Sequence, residues 1–183
     1  VYTADTNLMA QVRALPCVSG TNRVFKTAEE GDIKHDKFNE HFLQTERNQL
    51  NTSTESLNYG NSFNQINMIQ GDALHNLGFK GEGMTIAVID AGFPNVNTLS
   101  VFDSLLSNNQ LLGGWDFVAN NASYMDDNNH GTFVLSHMAG YTDNQLIGTA
   151  PKAKYWLLRS EDALSENIIE EYFWAAAAEF ADS

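Results

Sequence analysis

The sequence predicts an α/β domain in which helices flank a parallel sheet, and three observations carry that prediction. Residues 84–89 form a continuous, β-branched apolar run closed by Asp90, Gly92 and Pro94, the pattern of a strand buried on both faces. Two further apolar runs, 113–118 and 155–159, read as strands. Between and after them lie segments with apolar residues at helical spacing, and strands alternating with such helices build βαβ units.

In chain order, residues 8–15 carry apolar side chains at helical spacing until Pro16 stops them, and Val18 with Val24-Phe25 adds short strand material. Such a helix and strand cannot stand alone, so residues 1–26 read as a small piece of a packed structure. Residues 27–58 are polar and charge-mixed, an exposed linker with one short helical stretch at 38–47.

Ile66, Ile69, Ala73, Leu74 and Leu77 then recur as one helix with Gly78 at its C-cap. That helix is expected to cover the sheet, with His75 on its surface. Gly81 and Gly83 turn the chain into the strand ending at Asp90. Residues 94–109 are a loop with helical content. The polar loop 120–129 leads to His130, which opens an apolar segment that Gly140 stops.

Residues 147–153 form a turn feeding the strand 155–159. The last helix is expected over 165–181, capped by Ser165 and carrying the stripe Ile168, Ile169, Tyr172, Phe173, Ala176 and Phe180. Glu161, Asp162, Glu166, Glu170 and Glu171 read as a solvated face rather than an acceptor for basic substrate side chains.

Composition excludes several functions. The chain has 183 residues, 43% of them hydrophobic, and a formal net charge of −13, with ten basic residues that do not cluster. Phosphate binding needs a Lys/Arg patch, so nucleic acid is not an expected partner. No apolar run approaches the roughly 18–20 residues of a membrane span. The first residues lack a leader pattern, so the expectation is a removed leader or a start inside a longer precursor. Cys17 is the one cysteine and reads as a buried or incidental thiol.

Metal sites fare no better. His35 and His41 do not share a helical face. His130 and His137 lie about 10.5 Å apart along a helix, too far to bind one zinc ion. Asp126 and Asp127 lack the six or more oxygens calcium wants and read as a solvated loop.

Two residues stand out chemically. Asp90 is delivered at the carboxyl end of a core strand, where ligand and catalytic groups gather in open α/β sheets, although a strand-ending Asp also caps turns. His130 sits at a helix N-terminus facing the same loop side. Val88-Ile89-Asp90-Ala91-Gly92 followed by His130-Gly131-Thr132 resembles the first two catalytic motifs of the subtilisin-like serine proteases, the subtilases. Further similarities are Leu15-Pro16-Cys17-Val18 at the propeptide end, Tyr59-Gly60 with Ser62, Gln65-Ile66 with Ile69, and Gly148 with Ala150-Pro151 and Ala153.

The resemblance implies a three-layer α/β/α fold, incomplete in this chain, with residues 59–183 as the N-terminal half of the catalytic domain. It implies that Asp90 orients His130 and that His130 is the base for a serine nucleophile. The family's Gly-Thr-Ser motif is absent: Gly148-Thr149 is followed by Ala150, and Ser136, Ser160, Ser165 and Ser183 lack a nucleophile's setting. Two departures bear on packing and substrate preference, Ala91 where Ser or Thr is usual and Phe133 where a second His is frequent.

The expected function is therefore serine endopeptidase, with Ser and the oxyanion Asn on a missing or separate segment and this chain inactive alone. Expected partners are peptide or protein substrates, the C-terminal half of the catalytic domain, and its own propeptide. The resemblance implies secretion or an extracytoplasmic site, requires no cofactor, and leaves room for structural calcium on no assigned residue. The alternative is a non-catalytic binding or inhibitory module derived from a subtilase. A nucleotide-binding domain is set aside, because Gly81 and Gly83 precede a strand where a phosphate-binding turn must follow one.

Overall fold

The computed structural model describes residues 6–21 and 57–183. The strand material at Val24-Phe25, the linker helix at 38–47 and the pair His35 and His41 lie outside the described residues. Helix α1, Thr6–Arg13, begins and ends two residues before the predicted run 8–15, and Leu8 is 40% and Leu15 50% exposed. Cys17 is free and exposed rather than buried.

The expected single helix over 66–77 is two, α2 (Phe63–Met68) and α3 (Gly71–Asn76). Gln70, with φ 57°, breaks it in the left-handed region that β-carbon-bearing residues adopt at a steric cost. The break reassigns the apolar residues. Ile66 packs with Tyr59 and Ile147 in a small second core, whereas Ile69, Leu74 and Leu77 are exposed, so this stripe does not cover the sheet. Gly78, with φ 94°, ends α3 as a left-handed cap, and Phe79 N–H donates back to the Leu74 carbonyl at 3.0 Å.

Strand β1 (Thr85–Asp90) ends at the predicted aspartate. A turn of 3-10 helix (Ser100–Phe102) and α4 (Asp103–Ser107) lead to β2, which covers Leu111–Asp116 and so begins and ends two residues before the predicted run. Helix α5 (His130–Ala139) precedes the short hairpin β3 (Tyr141–Thr142) and β4 (Leu146–Ile147). Strand β5 (Lys154–Arg159) and helix α6 (Ile169–Asp182) follow.

Ser165 does not cap α6. Its hydroxyl donates to Asp162 at 2.7 Å, the helix begins at Ile169, four residues after the predicted start, and Glu170 in its first turn accepts from the Asn167 N–H at 3.2 Å.

The sheet is parallel, in the order β1-β5-β2. The strand formed last in sequence lies in the middle. Register pairs Ile86 with Tyr155, Val88 with Leu157 and Asp90 with Arg159, so these six side chains share one face. On that face Val88, Tyr155 and Leu157 meet Phe93, Val96, Phe102, Leu105, Leu135 and Ala139, which is the main core. The opposite face carries Trp156, whose ring meets Phe180 of α6 edge-on at 5.3 Å. Helices thus cover both faces, the three-layer arrangement the sequence predicts.

The turn into β5 is welded to α5. Gly148, Thr149 and Ala150 N–H groups donate to the carbonyls of Gly140, His137 and Met138 at 2.8–2.9 Å, satisfying the orphan acceptors at the helix end. Gly140 is not left-handed (φ −59°). It is required by space, since a Cβ there would lie 2.5 Å from the Ser136 carbonyl oxygen.

Candidate active site

Asp90 and His130 meet at the carboxyl end of the sheet. Asp90 comes from the end of β1, and its side chain is 10% exposed against 40% for His130. The His130 Nδ1 lies 2.8 Å from Oδ1 and 3.0 Å from Oδ2 of Asp90. Facing a carboxylate, Nδ1 carries the proton, and that fixes the tautomer so that base work falls to Nε2. Asp90 Oδ1 also accepts the Ala91 N–H at 2.7 Å, so the carboxylate is held from two sides.

The start of α5 is built to hold this contact. Asn128 Oδ1 accepts the His130 N–H at 2.9 Å, doing the capping that Asn129, the formal cap position, leaves undone. Gly131 sits where a Cβ would be 2.4 Å from the Gly92 carbonyl oxygen and 3.0 Å from the Asp90 Cβ. Only the absence of a side chain lets the helix press so closely on the strand end. Thr132 Oγ1 donates to the Pro94 carbonyl at 2.8 Å, a second tether one residue on.

Beneath the pair lies a residue that sequence reasoning passed over. Arg159, at the end of β5, is buried, and its guanidinium donates three ways: Nε to the Ala91 carbonyl at 3.1 Å, Nη1 to Asp116 at 2.8 Å and Nη2 to Asp127 at 2.6 Å. Asp116 spends its other oxygen on the N–H groups of Val118 and Ala119, both at 2.8 Å. Asp127 is therefore an ion-pair partner, which corrects its reading as part of a solvated loop. Among the described residues, no group of three or more His, Cys, Asp or Glu side chains could hold a metal ion.

His75 is a second correction. It is buried rather than on the helix surface, with Nδ1 2.8 Å from the Tyr59 hydroxyl, Nε2 2.9 Å from the Thr149 carbonyl oxygen, and its ring stacked on Tyr59. Burial pushes the Tyr59 hydroxyl up to about 12, so it keeps its proton and donates to Nδ1. Of the serines after His130, Ser136, Ser165 and Ser183 direct their hydroxyls to Phe133, Asp162 and Phe180. Ser160 is fully buried, and its Oγ has no hydrogen-bond partner.

The sequence model of the subtilase family matches residues 81–180, more than half of the chain and the span that holds both Asp90 and His130. The chain belongs to the subtilase family. Among curated relatives of this subtilase, the minor extracellular protease Epr of Bacillus subtilis is 26% identical over 168 residues, 88% of this chain and 24% of its own length. The alkaline protease of Alkalihalobacillus alcalophilus is 29% identical over 112 residues, 61% of this chain and 26% of its own length. Thermitase of Thermoactinomyces vulgaris is 35% identical over 85 residues, 45% of this chain and 28% of its own length.

The chain thus spans about a quarter of the length of the first of these relatives. Among solved structures, the MycP3 protease of the type VII (ESX-3) secretion system aligns over 57% of this chain and 25% of its own, at 23% identity and a TM-score of 0.41.

Proposed function

We propose that this chain contributes the aspartate and histidine of an Asp-His-Ser triad to a serine endopeptidase that acts on peptide or protein substrates. The contact of His130 Nδ1 with both oxygens of Asp90 carries the reading. In it, His130 Nε2 takes the proton of a serine Oγ as that oxygen bonds to the scissile carbonyl carbon. The proton passes to the leaving nitrogen as the C–N bond breaks, and water, deprotonated by the same Nε2, hydrolyses the acyl-enzyme. Asp90 keeps its charge throughout and stabilises the imidazolium. The serine and the oxyanion asparagine come from sequence other than these 183 residues, consistent with a match that covers only 24% of the length of Epr.

Residues 1–26 are proposed as a propeptide end, 27–58 as the linker that maturation cuts, and 59–183 as the N-terminal half of the catalytic domain. A match to a secreted relative over 88% of the chain extends well ahead of residue 59, which supports this layout and an extracytoplasmic location. Structural calcium remains compatible with the family reading and is assigned to no residue.

The test treats the full-length protein with a serine-directed fluorophosphonate probe and compares it with His130→Ala. Labelling of the wild type, with label and peptide cleavage both lost in the variant, is expected. Near-normal cleavage by His130→Ala removes the histidine from its role. An unlabelled, inactive wild type would instead point to a nucleophile-free binding module.

A further inference from the structure

We infer that Arg159 is the positioning residue for the Asp90 and His130 pair, a three-way clamp that fixes the loop before the histidine against the strand that carries the aspartate. The inference rests on the proteolytic reading only for its kinetic consequence.

Register places Arg159 beside Asp90 on the same face of the sheet. Its backbone already joins both neighbouring strand ends, because the Ser160 N–H donates to the Asp90 carbonyl at 2.9 Å and the Arg159 carbonyl accepts the Phe117 N–H at 2.8 Å. Its side chain then reaches three points that β-pairing does not connect. Nε holds the carbonyl of Ala91, the residue whose N–H holds the catalytic carboxylate. Nη1 holds Asp116 at the end of β2. Nη2 holds Asp127, three residues ahead of His130.

Asp127 needs that hold. It sits at φ 71°, bridges antiparallel to Gly92, and its segment passes so close that a Cβ on Gly92 would lie 2.3 Å from the Asp126 carbonyl oxygen. A planar fork of fixed donors suits such a task, since one orientation satisfies all three acceptors together.

Burial raises the pKa of the Asp127 carboxyl, Arg159 pulls it down, and Asp162, Asp116 and Asp126 push it further up, with a net rise. Arg159 is thus the charge that works against burial and the neighbouring carboxylates to keep Asp127 ionised, and its contact at 2.6 Å holds that carboxylate in place.

The deciding experiment uses the full-length protein and Asp127→Asn, which preserves side-chain volume and leaves Arg159 its bonds to Asp116 and Ala91. NMR follows the exchange-protected Nδ1–H of His130, which needs no turnover. The expected result is a protected signal in the wild type that is lost in the variant while its circular dichroism spectrum stays native, and a kcat lower by about 10- to 100-fold with KM within about twofold. Arg159→Lys, which keeps the charge and loses the fork, is expected to lose the same signal.

A signal that persists in Asp127→Asn, or that is absent from the wild type, overturns the clamp. So does a loss of signal that comes only with global unfolding. A wild type without peptidase activity sinks the proteolytic reading, while the NMR comparison still decides the clamp.

Discussion

Asp90 and His130 were both legible in the sequence, since a strand-ending aspartate and a helix-opening histidine are recognised from their immediate neighbours. What a single residue does with its partner follows from geometry. Asp90→Asn in the full-length protein keeps the shape and loses the charge that selects the Nδ1–H tautomer, so kcat is expected to fall on the order of 10⁴-fold with little change in Tm.

His75 behaves differently. Its spacing on a helix marked it as a surface residue, yet Tyr59 and Thr149 enclose it from distant parts of the chain. Tyr59→Phe removes the donor to its Nδ1 and leaves a buried nitrogen unmet, for an expected loss of about 1–3 kcal/mol in a urea unfolding curve. Asp127 gives a pH test. Its folded pKa is raised, so its unfavourable share is present once it is ionised and vanishes as pH falls through the ordinary carboxylate range. The Tm of the wild type relative to Asp127→Asn should accordingly rise as pH falls through that range, read by thermal melts at neutral and acidic pH.

At the scale of elements, the site depends on how closely α5 can approach β1. Gly131 and Gly92 remove side chains where helix, loop and strand end meet, and Gly92 also holds φ 147°, a conformation that favours glycine. Gly131→Ala would drive a methyl to 2.4 Å from the Gly92 carbonyl oxygen, so the helix must back away from Asp90. The expected result in the full-length protein is an activity loss of about 10²-fold or more, read at fixed substrate beside a circular dichroism spectrum that stays native.

The same scale explains the misread helix at 63–76. Apolar spacing runs through Ile66, Ile69, Leu74 and Leu77 without interruption, and only the left-handed turn at Gln70 divides it. Glutamine announces no such turn. Gly78, by contrast, announced its own, because glycine is the residue that adopts that conformation without steric cost.

At the scale of the whole molecule, the sheet of three strands found among the described residues lies between helices on both faces, and α6 closes the second face through aromatic contacts. Phe180 meets Trp156 at 5.3 Å and Phe117 at 6.2 Å, both nearly edge-on. Because Phe180 remains 39% exposed, Phe180→Ala is expected to lower the unfolding free energy of the full-length protein by only about 1–2 kcal/mol, measured by denaturant titration.

The sequence by itself determined the fold class, the strand that ends in Asp90, the helix that begins with His130, and the family those motifs imply. Each of these rests on local pattern, on apolar periodicity and on glycines that only one backbone conformation explains. Tertiary structure alone decided that β5 enters between β1 and β2, and with it that Arg159 would face Asp90, Asp116 and Asp127 at once. Strand order depends on which apolar faces pack best across long loops, and one strand's sequence does not encode its neighbours. A buried arginine at a strand end reads as an ordinary charged residue until the fold brings its carboxylates to it.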